Sequence, residues 1–166
     1  MGGRCGASTG RSFGAADPVA GQTRRLLPTV GEDLGVPGTA EGKIVVDRDF
    51  IQNKEIAGLT LNFKAGKLIS MSAKSGIEPF KALYDAAGPG KEDFGTIDFG
   101  INPNVQLKPS SKMGVWMPAG MLSFSIGNNA GAGGENKSPF SYGFFLPGSK
   151  VTVDGKMLVE NGILKK

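Results

Sequence analysis

The segment LTLNFKAGKLISMSA, residues 59–73, decides the fold class of this 166-residue chain. Its two runs, LTLNF and LISMSA, alternate apolar and polar residues and flank KAGK, which contains a glycine. Alternation with a period of two indicates strands with one buried face, and the glycine-containing turn indicates that the strands form a hairpin. The sequence therefore predicts antiparallel β structure at this point.

Similar strand patterns lie on both sides of this hairpin. The predicted strands are GKIVVDR (42–48), TIDFGI (96–101), MLSFSIG (121–127) and FSYGFFL (140–146). In MLSFSIG, Leu122, Phe124 and Ile126 lie on one face and Ser123 and Ser125 on the other. Near the end of the chain, Asp154-Gly155 and Asn161-Gly162 indicate two more hairpin turns.

One helix completes the predicted architecture. Ile77, Phe80, Leu83 and Tyr84 follow helical spacing, and GPG at 88–90 ends the pattern. We therefore expect an α+β fold, made mainly of antiparallel β strands and hairpins with one or two short helices.

The first 27 residues differ in composition from the rest. They contain four arginines and one acidic residue, Asp17, without helical or strand periodicity. We expect residues 1–27 to be a flexible basic arm or an added or targeting segment, such as an organellar transit peptide. Residues 28–166 are predicted to form the folded domain.

Composition argues against several classes of function. The chain has no histidine, so a Ser-His-Asp triad, a Cys-His pair and histidine metal ligands are impossible. Most of the net charge of +4 lies in the first 27 residues, so we expect no nucleic-acid partner. No segment approaches the roughly 20 apolar residues that span a bilayer, so we expect no membrane association. The single cysteine, Cys5, favours a reducing, cytoplasmic location.

Six segments, taken in order, resemble the aminopeptidase T family of metallo-aminopeptidases. They are LPTVGEDLGVP, AGLTLNFKAGKLISMSAKSG, FGTIDFGINPNV, PAGMLSFSIGNN, GGENKSPFSYGFF and VTVDGKMLVENGILK. The resemblance covers residues 28–166 and implies the C-terminal domain of that family. It also implies pairing through this domain, as a homodimer or with a partner chain, and an ancestral site for two divalent metal ions.

The resemblance assigns six metal-ligand positions in this sequence, and only Glu32 keeps an acidic side chain. The other five positions hold residues that carry no charge, namely Thr96, Ser123, Ala130, Ser141 and Gly143. Such residues bind divalent cations weakly, so we expect the metal pair and any catalytic residue to be lost, with no cofactor. Asp98 lies two residues beyond Thr96 and could join Glu32, with Asp33 or Glu135 nearby, in a weak cation site.

We therefore predict a degenerate, non-catalytic metallo-aminopeptidase-like domain that acts in binding or assembly. Two alternatives stay open. The chain could be a hydrolase that retains activity through Glu32 and Asp98 or through a partner chain. It could also bind a small polar ligand in the vacated pocket, through Thr96, Ser123 and Ser141.

Two further segments have structural interpretations. Trp116, with Met113, Met117 and Met121, is expected to fill the core or an interface. GAGG at 131–134 lacks the rest of a phosphate-binding motif and is predicted to be a flexible connection.

Overall fold

The computed structural model describes residues 4–7, 11–14, 30–33, 37–106, 117–153 and 155–165, the first three ranges as backbone strands only. These residues form twelve strands, one α-helix and one short 3₁₀ helix. The strands are β1 Arg4–Ala7, β2 Arg11–Gly14, β3 Val30–Asp33, β4 Gly42–Ile51, β5 Lys54–Lys64, β6 Lys67–Ser72, β7 Phe94–Gly100, β8 Leu122–Gly127, β9 Ser141–Leu146, β10 Val151–Val153, β11 Lys156–Glu160 and β12 Ile163–Leu164. The helix α1 is Glu78–Ala86, and the 3₁₀ helix is Ala130–Ala132.

The strands form three sheets in which neighbouring strands are antiparallel. Their orders are β12-β11-β10-β1-β2, β3-β7-β8-β9 and β4-β5-β6. The predicted α+β class is confirmed, and β4, β7, β8 and β9 correspond to the four strands predicted outside the central hairpin.

Hairpin turns explain why these strands pair in the observed register. Three two-residue turns have positive φ at both central residues: Gln52-Asn53, Ala65-Gly66 and Asn161-Gly162. Such turns match the right-handed twist of the flanking strands. The predicted hairpin at 59–73 is confirmed as β5 and β6. β10 and β11 pair on the two sides of the turn predicted at Asp154-Gly155, of which Asp154 lies outside the described residues.

The helix α1 has one buried side chain, Phe80, and Tyr84 adds an edge-on contact with Phe140. Pro79 lies in its first turn, where the missing N–H removes no helical hydrogen bond. Phe80 is completely buried, whereas Leu83, on the predicted apolar face, is 42% exposed. In the part of the chain that the structure describes, no helix has the length and apolar character needed to cross a bilayer.

Two strands lie in the segment that the sequence predicts to be an arm. β1 pairs with β10 and with β2. The sequences of β1 and β2 themselves show no strand periodicity. The rest of residues 1–27 lies outside the described residues, so a boundary near residue 28 stays a prediction.

Aromatic rings join the sheet β4-β5-β6, the sheet β3-β7-β8-β9 and the helix α1 in one core. Phe124 of β8 stacks on Phe94 and on Phe144, with ring centroids 6.1 and 5.0 Å apart. Phe63 meets Phe94 and Phe124 edge-on. Phe80 brings α1 onto Phe144. Met117 and Met121 are buried, as expected, whereas Met113 and Trp116 lie outside the described residues.

Candidate functional site

Strands β7 and β8 present polar side chains on the face opposite the aromatic core. On β8, Leu122, Phe124 and Ile126 are at most 2% exposed and face the core. Ser123 and Ser125 alternate with them and therefore face the other way. The register places Ser123 directly opposite Asp98 of β7.

Four of these side chains form a hydrogen-bonded cluster, which we call the Asp98 cluster: Thr96, Asp98, Ser123 and Ser125. Asp98 Oδ2 accepts hydrogen bonds from Ser123 Oγ at 2.9 Å and from Thr96 Oγ1 at 3.4 Å. Thr96 Oγ1 and Ser125 Oγ lie 2.9 Å apart, and Ser125 Oγ also accepts the Thr96 N–H at 2.9 Å. Either hydroxyl can be the donor in the contact between Thr96 and Ser125.

The cluster lies at the base of a cleft of about 440 Å³, which we call the first cleft. Thr96, Asp98, Ser141 and Gly143, all identified from the sequence, line it. Ser123 is 5% exposed and lies beneath the surface, bonded to Asp98. Ala130 is exposed and is not part of the lining, although its neighbours Asn129 and Gly131 are.

The acidic residues considered with Asp98 lie at different places. The register of β3 with β7 pairs the backbone of Glu32 with that of Asp98, and that of Asp33 with Ile97. The side chains of Glu32 and Asp33 lie outside the described residues. Glu135 lines a different cleft.

A loop over residues 128–138 closes one side of the first cleft. Asn129 Oδ1 accepts the N–H of Asn136, and Asn136 Oδ1 accepts the N–H of Ser138, at 2.9 and 2.8 Å. Asn128 Nδ2 donates to the carbonyl oxygen of Ser138 at 2.8 Å. The sequence predicts a flexible connection at 131–134, but the loop that contains it is cross-linked by asparagine side chains.

Six lining residues of the first cleft were not among the site residues predicted from the sequence: Ser125, Asn128, Asn129, Gly131, Ala132 and Pro139. The alternation of Ser123 and Ser125 in MLSFSIG was a usable signal for Ser125, because both occupy the polar face. The asparagines gave no periodic signal, since they act in a loop.

A second polar contact joins the sheets inside the core. Asp49 of β4 is 6% exposed, and its Oδ2 accepts the hydroxyl of Tyr142 of β9 at 3.1 Å. Its Oδ1 accepts the N–H of Phe50 at 2.8 Å. Burial raises the pKa of Asp49, and these two hydrogen bonds oppose that rise only in part. Burial and the adjacent carboxylate raise the pKa of Tyr142, which therefore stays a hydrogen-bond donor.

Tyr142→Phe is expected to lower the free energy of unfolding by about 1–2 kcal/mol at pH 7, because it leaves a buried carboxylate short of one donor. The folded pKa of Asp49 is above its ordinary value of 3.8. Its contribution to stability is therefore complete below pH 3.8 and is lost as pH rises through the folded pKa. Loss of the Tyr142 hydroxyl raises that pKa further, so the variant's loss of unfolding free energy relative to the wild type grows with pH. Urea denaturation of both proteins between acidic and neutral pH measures this difference.

Tyr84→Phe is the matched control for this experiment, since the Tyr84 hydroxyl has no hydrogen-bond partner among the residues that the structure describes. Its effect should stay within about 0.5 kcal/mol at every pH. A Tyr142→Phe deficit that is the same at acidic and neutral pH would contradict the assigned role of Asp49.

The described lining of the first cleft does not suit a pair of divalent cations. It offers one carboxylate, Asp98, with hydroxyl and amide groups around it. Hydroxyl and amide oxygens neutralise no charge, and no imidazole exists in the chain. Among the described residues, no group of three or more His, Cys, Asp or Glu side chains could hold a metal ion.

The fold is shared with two solved enzyme structures. The chain is similar to 2,5-dihydroxypyridine dioxygenase from Pseudomonas putida KT2440, with a TM-score of 0.69 and 16% identity over 99% of this chain and 55% of that one. It is also similar to wild-type AmpT, aminopeptidase T, from Thermus thermophilus, with a TM-score of 0.61 and 14% identity over 99% of this chain and 50% of that one. The chain thus spans about half the length of these proteins.

At these identities the likeness shows a common fold and no more. No family model matches the chain. No curated protein matches it either. The aminopeptidase T resemblance is therefore supported at the level of the fold.

Proposed function

We propose that this domain is a non-catalytic relative of the enzymes that share its fold and that it acts in binding or assembly. The observation that supports this most strongly is the Asp98 cluster. Its carboxylate accepts hydrogen bonds from the hydroxyls of Ser123 and Thr96, at positions where the aminopeptidase T resemblance assigns metal ligands. In this proposal, hydroxyl groups stabilise the carboxylate in place of cations.

The first cleft also supports a second candidate function, the binding of a small polar ligand. Its volume of about 440 Å³ lies within the range of small-molecule sites. Its lining is rich in hydrogen-bonding groups, with Ser141 and Asn129 near the Asp98 cluster. Assembly, by the same resemblance, would take the form of a homodimer or a complex with a partner chain.

We expect the purified protein to contain much less than one divalent ion per chain and to show no turnover of Leu-p-nitroanilide with added Co²⁺, Zn²⁺ or Mn²⁺. The reason is that one carboxylate among hydroxyls cannot balance the charge of two dications. Metal analysis and the chromogenic assay measure these two results.

Matched variants decide between this proposal and a hydrolase. The proposal would be overturned if the wild-type protein turned over the substrate, if Asp98→Ala or Glu32→Ala abolished that turnover, and if Asp47→Ala left it intact. That combination would establish a hydrolase. Asp47 is a suitable control because it is an exposed carboxylate on β4, outside the first cleft. A metabolite that raises the melting temperature of the wild type but not of Thr96→Val would favour the ligand-binding candidate.

A further inference from the structure

A second cleft lies on the other side of the 128–138 loop. Its volume is about 620 Å³, and four separate segments line it, within residues 37–40, 65–67, 89–94 and 129–137. None of these residues belongs to the Asp98 cluster. Convergence of four loops at the ends of strands is a common setting for a small-molecule site.

Hydrogen bonds hold the walls of the second cleft together. The N–H of Gly66 donates to Ala40 O at 2.9 Å, and the N–H of Phe94 donates to Gly66 O at 2.8 Å. Asn136 Nδ2 donates to Gly90 O at 2.8 Å. Gly66 passes so close to Gly38 that a Cβ at Gly66 would lie 2.7 Å from the Gly38 nitrogen. A site tied in this way is largely preformed, so a ligand loses little affinity to the ordering of loops.

Part of the lining of the second cleft is apolar. Phe94, Ala40, Pro37 and Pro89 contribute to it. Phe94 is half-buried, and its ring is held by stacking on Phe124, with an interplanar angle of 11°. A rigid, partly exposed aromatic ring beside prolines suits contact with a planar apolar group.

The charged residues of the second cleft are balanced. Its lining contains two cations, Lys67 and Lys137, and two anions, Asp93 and Glu135. Lys67 is already paired, with Asp93 at 2.6 Å and with Glu92 at 3.2 Å. A charged ligand would therefore meet attraction and repulsion together, and its charge would add little to the binding free energy.

Asn129, which lines both clefts, carries a side-chain hydrogen-bond donor at the wall of the second cleft. Asn129 Oδ1 accepts the Asn136 N–H, while Asn129 Nδ2 has no partner among the residues that the structure describes. Gly134 leaves room for this side chain, since a Cβ there would lie 2.2 Å from Asn129 Oδ1. The amide can therefore donate to a carbonyl oxygen of a ligand.

We propose that the second cleft binds an uncharged planar ring compound that carries a carbonyl oxygen, with the ring against Phe94 and the oxygen accepting from Asn129. Three indole probes of similar size test the chemistry. They are indole-3-acetamide, which is neutral, indole-3-acetate, an anion, and tryptamine, a cation. The neutral amide should bind at least about threefold more tightly than either charged probe, because the lining offers no net charge.

Backbone amide shifts of the wild-type protein locate the binding. Titration with indole-3-acetamide should shift the NMR signals of Gly38, Gly66, Gly90 and Asn136, and leave those of Ser141 and Gly143 in the first cleft unchanged. Shifts confined to Ser141 and Gly143, preference for a charged probe, or no saturable shift would each overturn the proposal.

A pair of matched variants tests the location again. Pro89 and Pro147 are both exposed and both precede a glycine, but only Pro89 lines the second cleft. Pro89→Trp should fill the cleft and weaken indole-3-acetamide binding by about tenfold or more, whereas Pro147→Trp should leave it unchanged. Equal binding by the two variants would overturn the assignment of the cleft. These results are independent of whether the first cleft is catalytic.

Discussion

Phe80→Ala is expected to lower the free energy of unfolding by about 3–5 kcal/mol, the usual cost of removing a fully buried phenylalanine side chain. Phe80 is 0% exposed and is the buried residue of α1. Its ring centroid lies 5.0 Å from that of Tyr142 and 5.3 Å from that of Phe144. The substitution therefore leaves a cavity between the helix and β9 and removes the main contact that holds α1 on the sheet.

Leu83→Ala is the matched control on the same helix. Leu83 is 42% exposed, and alanine is a good helix former, so its effect should stay below about 1 kcal/mol. Urea denaturation of the three proteins, analysed by linear extrapolation, gives the comparison. Equal losses for the two variants would contradict the view that burial of the Phe80 ring is what stabilises the helix on the sheet.

The strands and the central hairpin were predictable because their residues alternate with a period of two. MLSFSIG is the clearest case, since Phe124 faces the core and Ser123 faces Asp98. The shared face of Thr96 and Asp98 followed from the same pattern, because these residues are also two apart, whereas the pairing of β7 with β8 that brings Ser123 and Ser125 to them did not. Periodicity could not place the 128–138 loop, where single asparagine side chains bond to individual backbone groups.

Asp49 shows a second limit of sequence patterns. In the first half of β4, residues 42, 44 and 46 are buried, but in the second half it is residues 49 and 51. The buried face of the partner strand β5 changes in the same region, near Gly58, which has a φ of 59°. A long twisted hairpin can thus bury opposite faces in its two halves. A single alternation along β4 would place Asp49 in solvent, whereas the structure brings it to Tyr142.

Gly127→Ala is expected to lower the free energy of unfolding by about 2–4 kcal/mol, from left-handed backbone strain and overpacking together. Gly127 ends β8 with a φ of 86°, and a Cβ there would lie 2.1 Å from the carbonyl oxygen of Phe140. That contact is with backbone, so no side-chain rotation relieves it. The next residue, Asn128, donates its N–H to the same carbonyl oxygen at 2.8 Å. The displacement therefore reaches the loop that separates the two clefts.

Gly131→Ala provides the control within that loop, because a Cβ at Gly131 would meet nothing within 4 Å and its φ is not positive. Its effect should stay within about 0.5 kcal/mol. Urea denaturation measures the difference in stability, and backbone amide shifts of Asn129 and Asn136 report the position of the loop. If Gly127→Ala were as stable as Gly131→Ala and left those shifts unchanged, the close approach of β8 to Phe140 could not be what positions the loop. The asparagine hydrogen bonds would then have to do so alone.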